Sequence, residues 1–143
     1  MYAGKLDVFN APTAHLNEVE TLAPGMTVLT TNTMSAVQSA EIHTGVSVAW
    51  AAQYHPEYTL REVAVIVRRM GARLIEECFF CRLDDIKSFA ADLDILDSDP
   101  GCKRLTWRHG ISESILDKKL RVSEIANWIE FQVLPMRGKC GRG

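Results

Sequence analysis

The stretch "QYHPEY" contains the two residues of this chain best suited to acid–base chemistry, His55 and Glu57. Proline restricts the residue before it to extended conformations, and in an extended segment residues i and i+2 project from the same side. The imidazole and the carboxylate can therefore face one space. A carboxylate bound to one ring nitrogen fixes the tautomer and leaves the other nitrogen to act as a base. The pattern predicts a catalytic base with its orienting residue; a solvated surface turn is the alternative.

A nucleophile for this pair is not evident in the sequence. All the cysteines follow Glu57: Cys78, Cys81, Cys102 and Cys140. None of them lies between glycines in the strand-to-helix turn that exposes a nucleophile. The upstream hydroxyl residues Thr13, Ser35 and Ser39 also lie outside such a turn, so packing or capping roles are expected for them. The sequence thus predicts two members of a triad without the third.

Metal and redox chemistry are weaker alternatives. The "CFFC" segment has the spacing of a redox or zinc motif, but it follows the end of a predicted helix and lacks a second close ligand pair. An unrelated hydrolase or metal protein could use the scattered histidines and a carboxylate: His15, His43, His55 and Glu57. The chain has no H-x-x-x-H pair, so we expect neither a metal nor a cofactor.

The elements that must position His55 lie in a β-rich first half. Leu6–Asn10 is a short strand candidate, and "MTVLTT" follows a turn at Pro24-Gly25. Thr44-Gly45 separates two strand-like segments and predicts an antiparallel hairpin. The second arm, "VSVAWAA", is almost wholly apolar and leads directly to His55. We therefore expect this arm to be central in the sheet and covered on both faces.

The second half of the chain is predicted to be helical. Thr59 and Glu62 form a capping box that should begin a helix, and Gly71 is its weak point. "LDDIKSFAADLDIL" predicts a second amphipathic helix, and a last helix should run from Ser123 to about Pro135. The residues expected to face inward from the last helix are Ile125, Trp128, Ile129 and Val133. The tail "RGKCGRG" is expected to be frayed.

Composition narrows the class of protein. The 143 residues suit one domain, and a net charge of −2 gives no electrostatic basis for binding nucleic acid or an anionic membrane. No apolar stretch approaches the roughly 20 residues that span a bilayer. The first residues lack the apolar core of a signal peptide, so we expect a cytoplasmic protein with reduced thiols.

Several segments resemble class I glutamine amidotransferases. "AAQYHPEYT" is similar to the His-Pro-Glu segment of that family. Upstream, "VFNAPTAHLNEVETLAPGMTVLTTN" resembles the family's histidine-containing loop and the strand after it, and "SAVQSAEI" resembles the strand before the hairpin. The resemblance covers about residues 6–60. The helical remainder resembles, more loosely, the C-terminal extension of guanosine monophosphate synthase-like amidotransferases.

The resemblance implies an α/β fold, a partial flavodoxin-like sheet with a helical C-terminal extension. Residues 1–80 would form the C-terminal half of an amidotransferase-like domain, and residues 81–143 would be the extension packed on it. By the same resemblance His55 would be the base and Glu57 its orienter. The loop at Ala14, His15 and Leu16 would bind the glutamine substrate, although Ala14 and Leu16 depart from the residues common there.

The function implied is hydrolysis of the glutamine amide with delivery of ammonia to an acceptor. In the family a cysteine well upstream of the His-Pro-Glu segment attacks the amide, and this chain has no cysteine before Cys78. We therefore expect the chain alone to be inactive and to need an N-terminal half, and a synthase partner is a further expectation. The alternative is a non-catalytic remnant or interaction module that associates through an exposed sheet edge.

Overall fold

The computed structural model describes residues 1–137 and combines an antiparallel sheet with a series of helices. The α/β class is confirmed at this level, whereas the flavodoxin-like arrangement stays a prediction. The chain folds as two compact units. Of the described residues, the first contains 1–5, 11–56 and 122–137, and the second contains 6–10 and 57–121. The predicted division into residues 1–80 and 81–143 was based on the family resemblance rather than on compactness, and it also stays a prediction.

The first unit contains a three-stranded sheet in the order β1-β2-β3, formed by β1 (Met26–Thr30), β2 (Ser39–Thr44) and β3 (Ser47–Ala52). Both strand pairs are antiparallel. The predicted hairpin is confirmed, because Thr44 pairs with Ser47 across a two-residue loop that begins with Gly45 at φ +62°. A positive φ is readily adopted by glycine, so the loop conformation follows from the sequence.

The predicted burial of β3 is wrong. This strand lies at one edge of the sheet among the described residues, and most of its side chains are exposed. Three of its six residues are alanines, which carry little apolar area. Leaving them in contact with water therefore costs little free energy, and the apolar run does not force the strand into the interior.

The predicted strand at Leu6–Asn10 is also wrong. No strand forms there, and the side chains of Leu6 and Val8 are exposed. Asn10 instead binds the start of a later helix: its N–H donates to Ser114 Oγ at 2.9 Å, and its Oδ1 accepts from the Ser112 N–H at 3.0 Å. Side-chain hydrogen bonds thus replace the strand pairing that the sequence pattern suggested.

The second unit is helical. Its helices are α1 (Leu60–Arg69), α2 (Gly71–Glu76), α3 (Leu83–Ser98), α4 (Lys103–His109), α5 (Glu113–Leu116) and α6 (Lys118–Arg121). The predicted capping box at Thr59 and Glu62 is confirmed, and so is the break at Gly71. The core of this unit consists mainly of side chains from α1, α3 and α4: Leu60, Ala64, Ala90, Leu93, Leu96, Leu105 and Ile115.

The chain returns to the first unit through α7 (Ser123–Trp128), a π-helical turn (Ile129–Val133) and α8 (Leu134–Arg137). The predicted helix start at Ser123 is confirmed. The predicted tail includes residues 138–143, with Cys140, which lie outside the described residues.

The predicted inward face of this last helix is wrong. Ile125, Trp128 and Ile129 are 36%, 47% and 43% exposed, whereas Glu124 and Asn127 are buried. Val133 is half-buried and therefore does not point fully inward either. The buried polar face results from specific partners near the N-terminus of the chain. The Asn127 side-chain amide donates to two backbone carbonyl oxygens there, those of Met1 and Ala3, and Glu124 binds Lys5.

Candidate active site

The segment that carries His55 is held by its backbone. Tyr54, the second residue after β3, forms an isolated antiparallel bridge with Thr13. The N–H of His55 donates to the carbonyl oxygen of Pro12 at 2.8 Å. The next residue, Pro56, is buried, and the His55 side chain is half-buried. A half-buried imidazole on a fixed backbone suits a base, which must be both positioned and accessible.

The residue before Tyr54 adds a second set of contacts. The N–H of Gln53 donates to the carbonyl oxygen of Gln38 at 2.8 Å, and its side-chain amide donates to the carbonyl oxygen of Val37 at 3.0 Å. Both acceptors lie just before β2. The chain from Gln53 to His55 is therefore bound along its length to earlier parts of the first unit.

The predicted substrate loop begins beside this segment. Its residues Ala14, His15 and Leu16 are exposed and follow directly after Thr13, which pairs with Tyr54. The structure therefore brings the start of the loop next to the chain that bears His55. Substrate binding by the three loop residues stays a prediction.

The ring of His15 is held between two partners. Its Nδ1 lies 2.9 Å from the carbonyl oxygen of Asn17, and its Nε2 lies 3.4 Å from Nε2 of Gln38. A proton on Nδ1 satisfies both contacts, because Nε2 can then accept from the Gln38 amide. The same amide has its Oε1 buried without a partner in the described part of the chain.

Glu57 lies in the exposed turn after Pro56, where the second compact unit begins. His55 belongs to the first unit. The orienting contact predicted between the two side chains stays a prediction.

A buried polar cluster beside His55 was not predicted from the sequence. We call it the Tyr54 cluster, and its members are Tyr2, Lys5, Ser39, Tyr54 and Glu124. The Tyr54 hydroxyl donates to Glu124 Oε1 at 2.6 Å, and Lys5 Nζ donates to the same oxygen. The Tyr2 hydroxyl lies 2.6 Å from that of Tyr54 and donates to Ser39 Oγ at 2.6 Å. The one sequence signal for it was the polar pair Glu124 and Asn127, three residues apart on a helix whose other side is apolar.

Burial is the main cause that raises the pKa of Tyr54 far above its usual value, and the hydrogen bond to Glu124 adds to it. The phenol is consequently a neutral donor at every physiological pH. Ser39 and Tyr54 are buried and their hydroxyls are occupied within the cluster, so neither is placed to reach a substrate.

Two other histidines have carboxylate partners of their own. His43 Nε2 lies 2.7 Å from Glu41 Oε1 on the exposed surface of β2, and His109 Nε2 lies 2.9 Å from Asp92 Oδ2 at the end of α4. Within residues 1–137, no group of three or more histidine, cysteine or acidic side chains could hold a metal ion. The same part of the chain contains no helix with the length and apolar character needed to cross a membrane.

Comparison with known proteins extends the resemblance beyond the His-Pro-Glu segment. A γ-glutamyl-L-1-hydroxyisopropylamide hydrolase from a Pseudomonas species is 26% identical over 135 residues, covering 94% of this chain. The chain spans only 45% of that relative's length. No family model matches the chain, and no solved structure gives a significant match. The similarity supports a coarse relationship with glutamine amidotransferase-like hydrolases, and nothing in it favours guanosine monophosphate synthases in particular.

Proposed function

We propose that this chain is the histidine-bearing half of a glutamine amidotransferase-like hydrolase that cleaves γ-glutamyl amide bonds. The observation that carries the proposal is the similarity over 135 residues to a hydrolase named for a γ-glutamyl amide substrate. That alignment includes His55, whose backbone is bound to Pro12 beside the predicted substrate loop. Glutamine contains the simplest bond of this kind, because its side chain is the γ-amide of glutamate with ammonia.

In the proposed reaction His55 takes the proton from the nucleophilic thiol, whose sulfur attacks the γ-amide carbon. His55 gives that proton to the departing amine as the carbon–nitrogen bond breaks and a γ-glutamyl thioester forms. It then takes a proton from the water that hydrolyses the thioester to glutamate and returns this proton to the thiol. Glu57 holds the imidazole in the required tautomer and stabilises its charged form. The backbone of the Ala14–Leu16 loop holds the γ-glutamyl group of the substrate. The thiol and the oxyanion donors come from a polypeptide region that is absent from residues 1–143. The chain alone should therefore release no glutamate above background.

Complementation tests the proposal directly. The part of the Pseudomonas hydrolase that this chain does not match is co-expressed with the chain, and glutamate release is measured from glutamine and from other γ-glutamyl amides. We expect release only from the complex, and a loss of about 1,000-fold or more in His55→Ala. His43→Ala is the matched control, since His43 also pairs with a glutamate but lies on the exposed strand β2. A complex without release, or release that is indifferent to His55→Ala, would contradict the proposal.

The narrower assignment includes delivery of ammonia to a synthase partner in the cytoplasm. It is supported by the family resemblance of the His-Pro-Glu segment and by the free thiols of Cys78, Cys81 and Cys102, which suit a reducing compartment. Transfer of the amide nitrogen of ¹⁵N-labelled glutamine to an acceptor, rather than its release as free ammonium, would support this assignment.

A non-catalytic interaction module is the second candidate. The observation that favours it is the set of large apolar side chains exposed after residue 124, namely Ile125, Trp128, Ile129, Phe131, Leu134 and Met136. Exposed apolar patches often mark interaction sites. Analytical ultracentrifugation of the chain and of Trp128→Ser distinguishes the candidates: self-association that Trp128→Ser abolishes, together with no complementation, favours the module.

A further inference from the structure

We propose that Tyr54 is a positioning residue for His55, and that the Tyr54 cluster holds the base through it. The proposal rests on the proposed function of His55. It concerns a residue that touches neither the substrate nor the reacting atoms, because its side chain is 96% buried and is occupied by the cluster.

The first argument is the direction of neighbouring side chains. In an extended segment successive side chains point to opposite sides. The phenol of Tyr54 points into the cluster, so the imidazole of His55 points to the other side. Fixing the hydroxyl at the far end of a rigid ring therefore restrains rotation of the backbone that aims the imidazole.

The second argument is that the cluster is held by groups far apart in the chain. Glu124 accepts from Tyr54 and from Lys5 through Oε1, and from the Ser123 hydroxyl through Oε2 at 3.2 Å. The side chains of Lys5 and Glu124 are each 3% exposed. A buried carboxylate with a cation and several donors is rigid, whereas the same carboxylate with one partner removed is strongly destabilised. The cluster is therefore a stiff support for the phenol.

The third argument is that His55 has restraints on both sides of its own backbone. Its N–H binds the Pro12 carbonyl, and Pro56 follows with a fixed φ. The Tyr54 cluster adds a third restraint, because it holds the hydroxyl of the residue that precedes His55. With Tyr54 released, the hydrogen bond from the His55 N–H to the Pro12 carbonyl oxygen should open more often.

The test is made on the full chain by nuclear magnetic resonance, without any activity assay. Tyr54→Phe keeps the ring and removes the hydroxyl. We expect the His55 amide to exchange with solvent about tenfold faster, as loss of one buried hydrogen bond implies, and the His55 ring signals to shift or broaden. The His43 amide, which donates to Gly25 O at 2.9 Å in the same unit, should be unchanged. The matched control is Glu41→Gln, which alters a half-buried carboxylate that also accepts side-chain hydrogen bonds but lies outside the Tyr54 cluster.

A milder variant covers the case in which Tyr54→Phe does not fold. Tyr2→Phe keeps both buried charges of the cluster and removes only the hydroxyl that lies 2.6 Å from that of Tyr54. It should also speed His55 amide exchange. Unchanged His55 signals in the folded variants, or equal acceleration at His55 and His43, would overturn the proposal. The second result would mean that the cluster stabilises the whole unit rather than the base.

Complementation separates this proposal from the proposed function. In an active complex, Tyr54→Phe should lower kcat with little change in KM, because it disturbs the orientation of the His55 imidazole rather than substrate binding. An active complex that is indifferent to Tyr54→Phe refutes positioning while the proposed function stands. Faster His55 exchange in a chain that never gives an active complex supports the restraint on His55 and refutes the proposed function.

Discussion

At the scale of single residues, spacing alone does not make a histidine and a glutamate into a catalytic pair. Glu41 and His43 have the same separation in sequence as His55 and Glu57, and their side chains bind at 2.7 Å. That pair lies on the exposed surface of a strand, where the hydrogen bonds from His43 and Trp50 lower the pKa of Glu41. His55 differs because its side chain is half-buried and its segment pairs with the start of the predicted substrate loop, whereas the His43 side chain is exposed. The surroundings, rather than the motif, therefore support its proposed role.

A second histidine–carboxylate pair gives a prediction about pH. The hydrogen bond from His109, with a smaller contribution from Arg108, lowers the pKa of Asp92. A carboxyl group whose pKa is lower in the folded state stabilises the fold above its unfolded pKa, and this stability is lost as the pH falls through the folded value. Asp92→Asn should therefore reduce the free energy of unfolding near neutral pH by about 0.5–1 kcal/mol. Urea denaturation from pH 7 towards pH 3 should show the difference between variant and parent shrinking.

The control for this prediction is Asp94→Asn in the middle of α3, whose carboxylate binds Arg68 but is 37% exposed. This variant should differ little from the parent at any pH, because an exposed pair is screened by water. A destabilisation of Asp92→Asn that stays constant from pH 7 to pH 3 would show that the effect is one of packing rather than of charge.

At the scale of elements, sequence patterns of a few neighbouring residues correctly predicted helix ends and turns. The capping box at Thr59 has both of its hydrogen bonds: Glu62 N–H to Thr59 Oγ1 at 3.2 Å, and Thr59 N–H to Glu62 Oε2 at 2.7 Å. Thr59→Ala should cost about 1 kcal/mol of stability and speed amide exchange in the first turn of α1. Thr106→Ala is the control, because its hydroxyl binds a carbonyl inside α4 and caps no helix. Equal effects of the two substitutions in chemical denaturation would contradict a capping role.

Two glycines beside the strands of the sheet allow backbone strain to be distinguished from a steric clash. Both Gly25 and Gly45 have positive φ, but a Cβ on Gly25 would overlap with the carbonyl oxygen of His43, whereas a Cβ on Gly45 would meet nothing within 4 Å. Gly45→Ala should therefore cost only the backbone strain, about 1 kcal/mol. Gly25→Ala adds a clash with backbone and should cost more than about 3 kcal/mol. Thermal melting of both variants checks the order, and equal losses would refute the clash.

The failures of sequence-based prediction have two physical causes. The hairpin, the capping box and the break at Gly71 depend on residues within a few positions of each other, and all three were predicted. The irregular Leu6–Asn10 and the buried polar face of α7 depend on partners that are distant in sequence, whereas the exposed β3 reflects the small apolar area of its alanines. The contact of Tyr54 with Glu124 joins residues 70 positions apart. No local pattern specifies such a contact, so the support for His55 could not be predicted while His55 itself could.

At the scale of the whole molecule, the first unit is closed by contacts between the two ends of the described chain. Lys5 binds Glu124, and the Asn127 side-chain amide donates to the carbonyl oxygens of Met1 and Ala3 at 2.8 and 2.9 Å. The second unit, by contrast, consists mostly of the continuous stretch 57–121. Contacts over more than 100 residues carry a larger loop-closure entropy than contacts within one helical stretch. The stability of the first unit should therefore depend more strongly on these few polar contacts than the stability of the second unit depends on any of its own.

This difference predicts a local effect of Asn127→Ala. The substitution leaves two backbone carbonyl oxygens without their described donor, which should cost about 1–3 kcal/mol in the first unit. Amide exchange should accelerate in α7 and at Tyr54, and the amides of Leu93 and Leu96 in the core of the second unit should keep the rates of the parent. Ser98→Ala is the matched control, since it removes a hydrogen bond to the Asp94 carbonyl on the exposed surface of the second unit. The two substitutions are comparable because each removes donors to backbone carbonyls. A uniform acceleration of amide exchange in both units for Asn127→Ala would contradict a local effect. It would mean that the chain unfolds as one cooperative body, and that the contacts between its two ends stabilise the helical unit as much as the sheet.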